Sequence, residues 1–151
     1  MRNILVALEI TSADEFVIAH ATAMARAFQA NLRLIHVAAP PPDFVGYEAG
    51  PQYIRDVRAE ELKHEHTELH RMRDRLLAMG ISTDVRLVQG ATVETLMAEA
   101  DAFVADLLVL GSHGRRGLAK LFQGSVSEAV LHEHKLPLLI VPTPQHTDPT
   151  P

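Results

Sequence analysis

The chain has no cysteine among its 151 residues. That excludes disulfides, thiolate zinc sites and cysteine nucleophiles together, and it is compatible with a reducing compartment. No apolar run approaches the roughly 18 residues of a membrane helix. Met1-Arg2-Asn3 leads directly into Ile4-Leu5-Val6-Ala7-Leu8 without the pattern of a secretory leader. The expectation is a cytoplasmic protein that inserts in no membrane. There is no excess of cations either: 14 Lys+Arg against 19 Asp+Glu leave a net charge of −5. That balance argues against nucleic acid as a partner, because such affinity comes mainly from cations that neutralise phosphates. What remains, 47% hydrophobic and 22% charged residues, is ordinary globular composition, long enough for one domain with a real core.

Ile4 to Leu8 is apolar without alternation, the pattern of a strand buried on both faces of a parallel sheet. Ser12 is placed to cap a following helix, with Asp14 and Glu15 at its positive end and Phe16, Ala19, Ala23, Ala27 and Phe28 recurring at helical spacing through Ala30. A second strand spans Leu32 to Val37, and Pro40-Pro41-Pro42 ends it. The connection to Pro51 is long for a compact domain, as functional or mobile loops are. Gln52 to Met79 reads as one helix with Leu62, Leu69 and Leu76 a heptad apart and charges between them, so most of it is expected to face water.

Gly80 terminates that helix and Asp84 to Val88 make a third strand. Val93, Leu96, Met97, Ala100 and Val104 trace the buried face of another helix. Leu107 to Leu110 is a fourth strand, Val126 to His134 a fourth helix, and Leu138 to Val141 a fifth strand. The last residues, 143–151, are expected to be a disordered tail that buries nothing. The order βαβαβαβαβ implies a single α/β, Rossmann-like domain over residues 1–142: a five-stranded parallel sheet with helices on both faces. Ligands of such sheets bind beyond the carboxyl ends of the strands where strand order reverses, which points to the turns after Leu8, Val37 and Leu110.

The turn after Leu110 runs from Gly111 to Ser125. It is not a Walker loop, because no Gly-Lys-Ser/Thr occurs, and its glycines do not have the dinucleotide spacing. It has the parts of an anion cradle. Glycines let backbone approach a phosphate, and Ser125 opens a helix whose free amides favour negative charge. Ser125 also stands at capping-box spacing from Glu128. A serine that only caps its helix, in a turn whose glycines only solve geometry, gives the same string. The charge pattern favours the cradle: no acid lies between Asp106 and Glu128, while Arg115, Arg116 and Lys120 all do. A polyphosphate site needs such a window, and so does a patch for an acidic partner.

Gly111-x2-Gly114-x9-Gly124-Ser125, flanked by Asp106-Leu107-Leu108-Val109-Leu110 and Pro137-Leu138-Leu139-Ile140-Val141-Pro142, resembles the G-x2-G-x9-G-S/T motif of the ATP-binding branch of the universal stress protein family. The likeness runs from Ile4 to Pro142. It implies an ATP-binding, nucleotide-responsive regulator in the stress response, a homodimer joined through the last strand, and a regulatory protein partner. It further implies that Gly111, Gly114, Gly124, Ser125, Val126 and Ser127 hold ribose and phosphates, with His113 and Arg115 approaching the phosphates. By the same likeness the backbone of Val37 reads the adenine edge, and Glu9 and Thr11 line base and sugar. The sequence departs from the family at the first turn, where Asp and a small residue are usual and Glu9 and Ile10 stand here. The longer carboxylate and the branched Ile10 bear on how the base is held.

Nine histidines raise the question of a metal. His66 and His70 share a helix face with His64 close by, but no H-E-x-x-H spacing occurs and a solvated face accounts for them. His132 and His134 suit the negative end of the last helix, and His36 on an inner strand reads as a core residue. Mg2+ would come with the nucleotide, held by phosphates and water. No residue is evidently a base for hydrolysis. A slow ATPase or nucleotidyl-transfer enzyme and a nucleotide-independent interaction dimer are the alternatives to the regulator.

Overall fold

The computed structural model describes residues 1–38, 52–112, 133–134 and 136–144. The long loop to Pro51, the glycine loop beyond Ser112, all but residues 133 and 134 of the expected last helix, and the tail beyond Pro144 lie outside them.

Five strands and three long helices are described: β1 (Asn3–Ala7), α1 (Asp14–Phe28), β2 (Asn31–Ala38), α2 (Gln52–Ala78), β3 (Thr83–Gln89), α3 (Thr92–Phe103), β4 (Leu107–Gly111) and β5 (Leu138–Val141). The apolar runs become the inner strands because both faces of the sheet are covered, so alternation would leave polar groups in the core. Every described strand pair is parallel and the order is β3-β2-β1-β4-β5. Strand order therefore reverses at β1, with β2 on one side and β4 on the other.

Two apolar layers enclose the sheet. Ile4, Val6, Leu34 and Val109 meet Val17, Ile18 and Ala21 of α1 and Leu69 and Leu76 of α2. Leu5, Ile35, Leu108 and Leu110 meet Leu96, Met97 and Ala100 of α3 on the other face. Leu69 and Leu76 are each 1% exposed, and each such side chain contributes roughly 2 kcal/mol by leaving water. At one edge of the sheet, β2 and β3 are tied by Arg33, whose Nε and Nη2 donate to the two carboxylate oxygens of Asp84, each at 2.7 Å. Its guanidinium also lies 4.2 Å over the Phe103 ring.

Four expectations need correction. The first helix buries Val17, Ile18, Ala21, Thr22 and Ala25, whereas Phe16 and Phe28 are exposed; the compact branched residues pack on the flat sheet and the aromatics lie on the opposite side. Ser12 does not cap this helix: the residue before it is Ala13, without a side-chain cap. The chain enters through one tight turn instead, with Asp14, Glu15 and Phe16 donating to the carbonyls of Thr11, Ser12 and Ala13. Val104 is not part of the buried face of α3 but caps its end in the left-handed region, φ 52°, and is 73% exposed. Thr143, in the stretch expected to bury nothing, is buried and donates its amide to Ser112 Oγ at 3.1 Å.

Candidate functional site

Two adjoining clefts open at the carboxyl ends of the strands, one on each side of β1. The first lies between β1, β2 and the start of α3, lined by Ala7, Leu8, Glu9, Ile35, His36, Val37, Thr92 and Leu96. The second lies between β1, β4 and the start of α1, lined by Ala7, Glu9, Thr11, Ala13, Asp14, Val17, Gly111 and Thr143. Glu9 belongs to both walls. The reversal of strand order produces this pair, because the chain leaves β2 for one face of the sheet and enters β4, on the other side of β1, from the opposite face.

Of the residues expected at the site, the fold brings Glu9, Thr11, Val37 and Gly111 around these clefts. Ile10 lines neither; it packs against the apolar layer beneath α1 and α2. His113, Gly114, Arg115, Gly124, Ser125, Val126 and Ser127 lie outside the described residues. Gly111 leaves little room for a side chain. A Cβ there would stand 3.1 Å from Thr143 Cγ2 and 3.3 Å from Val17 Cγ2, closer than most side chains tolerate.

The turn after β1 is built around Asp14, which the sequence marks as an acid at a helix start. Asp14, 4% exposed, accepts the amide of Glu9 on Oδ1 and the amide of Thr11 on Oδ2, each at 3.1 Å. Burial pushes its carboxyl above the ordinary carboxylate range, against the opposing pull of the Glu9, Thr11 and Ile10 amides and of His36. Between those amides Ile10 sits at φ 59°, a left-handed conformation that costs a branched residue about 1–2 kcal/mol. The signal was present as Thr11-x-x-Asp14, the spacing at which an acid reaches back to the amide that opens a helix. Thr92 and Thr143 reach the clefts through packing across the sheet and have no local signature.

His36, beneath the same turn, is 3% exposed. Its Nδ1 donates to the Leu8 carbonyl at 2.8 Å, and its Nε2 faces Glu65 Oε1 of α2 at 3.3 Å, so it is a core residue bonded to the strand that ends in the site. The rings of His66 and His70 lie 4.1 Å apart. Burial first, then His66 and Arg73, lowers the pKa of His70. Among the described residues no group of three or more His, Asp or Glu converges as metal ligands would. His134 directs Nδ1 to Asp101 Oδ1 at 3.0 Å, so its partner is a side chain of α3.

Fold and site together define a single parallel α/β domain whose clefts stand at the switch point of the sheet. The chain belongs to the universal stress protein family, whose model matches residues 1–142. It is 30% identical over 142 residues to a universal stress protein of Thermus aquaticus, covering 93% of this chain and 98% of that protein. It is 32% identical over 145 residues to universal stress protein A homolog 2 of Coxiella burnetii, covering 93% and 94%. A crystal structure of a universal stress protein in complex with cAMP is similar with a TM-score of 0.62 at 27% identity, over 93% of this chain and 96% of that one. Among the described residues, no helix is long and apolar enough to cross a membrane.

Proposed function

We propose that this protein binds an adenine nucleotide, ATP above all, across the two clefts beside β1, and that the occupied state is read by a protein partner during the stress response. The observation that carries the reading is the convergence of Glu9, Thr11, Val37 and Gly111, from three separate stretches of chain, on adjoining clefts at the switch point. The first cleft suits a base: its walls are apolar at Ala7, Ile35 and Leu96 and polar at Glu9 and Thr92. The second leads to Gly111, where the glycine motif Gly111-x2-Gly114-x9-Gly124-Ser125 begins. Ribose and phosphates belong on that side, with His113, Arg115, Ser125, Val126 and Ser127 as their partners and Mg2+ carried in on the phosphates. The relative solved with cAMP supports an adenine ligand.

Binding transmits a signal only if two conformations differ in affinity for the ligand. In this reading the protein works in the cytoplasm as a homodimer joined through β5, the edge strand, where Ile140 is 43% exposed. Calorimetric titration of nucleotide-stripped protein with ATP, ADP, AMP and cAMP, with and without Mg2+, tests the ligand. Heat and a thermal shift strongest with ATP are expected. No heat and no thermal shift at millimolar nucleotide would overturn the reading. Light scattering of the wild type and of Ile140→Glu tests the dimer, with the variant expected to run as a monomer.

A further inference from the structure

The six residues between β1 and α1 must reverse the chain in very little space, and the way they do so is unusual for the residues used. The amides of Glu9 and Thr11 both turn inward onto one buried carboxylate, and the amide of Ile10 interacts with it as well. Successive amides converging in this manner form a nest of the kind that receives anions. Here the chain supplies the anion itself. The central residue of the nest, Ile10 at φ 59°, is in a conformation that glycine adopts freely and a branched residue resists. A strained residue persists only where its surroundings over-determine it; here the carboxylate holds the amides on either side of Ile10, and the Ile10 side chain packs against the core. Glu9 and Thr11, on either side of Ile10, are among the residues that line the clefts.

We propose that Asp14 is a positioning residue of the nucleotide site: its carboxylate gathers the amides of the turn, holds Ile10 left-handed, and so fixes where Glu9 and Thr11 meet the ligand. The proposal rests on the nucleotide reading above and names a residue through which that site is shaped. Burial disfavours this carboxylate in its charged form, with the turn amides and His36 of β2 as the counterweights. An acid kept in so unfavourable a place has its use in the contacts it makes.

The test is rescue. Asp14→Asn keeps the size of the side chain but turns an amide NH2 toward one backbone donor, so the nest opens and Ile10 relaxes. ATP affinity is expected to fall about ten-fold or more, and hydrogen exchange at the Glu9 and Thr11 amides to accelerate in the ligand-free protein. Adding Ile10→Gly removes the need for a clamp, because glycine takes the required φ unaided. The double variant is therefore expected to recover ATP affinity to within about three-fold of wild type, and Ile10→Gly alone to bind like wild type. A residue with only a general structural role would lose affinity with stability, and a second cavity-forming substitution would not restore it. Should Asp14→Asn fail to fold, the double variant, relieved of strain, carries the comparison with Ile10→Gly. Wild-type affinity in Asp14→Asn, or no recovery in the double variant, overturns the proposal while leaving the nucleotide reading intact. A wild-type protein that binds no adenine nucleotide overturns both.

Discussion

Asp106 and Arg2 tie the amino ends of the two central strands together: Asp106 Oδ2 accepts the Arg2 amide at 2.6 Å and, on the same oxygen, the Asn3 amide at 2.9 Å. The Asp106 amide returns a bond to the Asn3 carbonyl at 2.8 Å. The amides of Arg2 and then Asn3 hold the Asp106 carboxyl below its ordinary pKa. The native state therefore binds that proton less tightly than the unfolded chain does. The stability it contributes is present above the ordinary carboxylate value and is lost as pH falls through the native one. Asp106→Ala is expected to cost about 0.5–1 kcal/mol at pH 7, the group being exposed. Urea denaturation across the acid range should show the difference from wild type shrinking below the native pKa. A difference that is the same at both ends of the range would mean the carboxylate charge plays no part.

Val104 offers a gain rather than a loss. It ends α3 at φ 52°, where its amide bonds the carbonyls of Ala100 and Asp101, and glycine is the residue that position favours. At 73% exposure its side chain buries little, so removing it forfeits little. Val104→Gly relieves roughly 1–2 kcal/mol of left-handed strain and costs about 0.5–1 kcal/mol in unfolded-chain freedom. A net stabilisation of about 0.5–1 kcal/mol is expected, read as a higher denaturation midpoint with an unchanged urea slope.

Gly111 makes the opposite case, a glycine fixed by contact. Thr143, just beyond β5, and Val17 of α1 stand 3.1 and 3.3 Å from where a Cβ would sit, so one or both must shift by a few tenths of an ångström to admit it. Gly111→Ala is expected to cost about 1–3 kcal/mol by overpacking and to narrow the cleft beneath the glycine loop. Weaker nucleotide binding should accompany the lower denaturation midpoint. Full stability in this variant would mean that the Thr143 side chain swings aside.

These positions also show what the sequence made legible. The sheet was readable because Ile4 to Leu8 and Leu107 to Leu110 are too uniformly apolar for any place but a doubly covered interior. The topology of that sheet puts Glu9, Thr11, Val37 and Gly111 at one end of it. The buried side of α1 is not legible because apolar residues surround much of that helix: Phe16, Ala19, Ala23, Ala27 and Phe28 keep helical spacing as well as Val17, Ile18, Ala21 and Ala25 do. Asp14 is inconspicuous for a different reason. An acid at a helix start is already explained by the dipole, and only the fold shows that its carboxylate reaches back to Glu9. Thr92 and Thr143 arrive from distant parts of the chain, and no local pattern distinguishes a threonine destined for a cleft.

His36 and Glu65 join β2 to α2 beneath the site, and their chemistry fixes what substitutions should do. The Leu8 carbonyl can only accept, so His36 Nδ1 carries a hydrogen. Nε2 lies 3.3 Å from Glu65 Oε1, at ion-pair distance but without hydrogen-bond alignment. A neutral ring would set a lone pair against a carboxylate, so attraction across this contact requires a second proton, on Nε2 or on the acid. Glu65→Leu removes the partner and leaves a buried ring nitrogen alone; Glu65→Gln can donate its amide to Nε2 of the neutral ring. The glutamine variant is therefore expected to be the more stable of the two by about 1 kcal/mol. His36→Leu strands the carboxylate, and the double leucine variant should cost less than the sum of the singles by about 1–2 kcal/mol. Denaturation of the four proteins and the glutamine variant decides it. Strict additivity, with Gln and Leu equal at position 65, would mean that the two side chains lie near each other without holding α2 to the sheet.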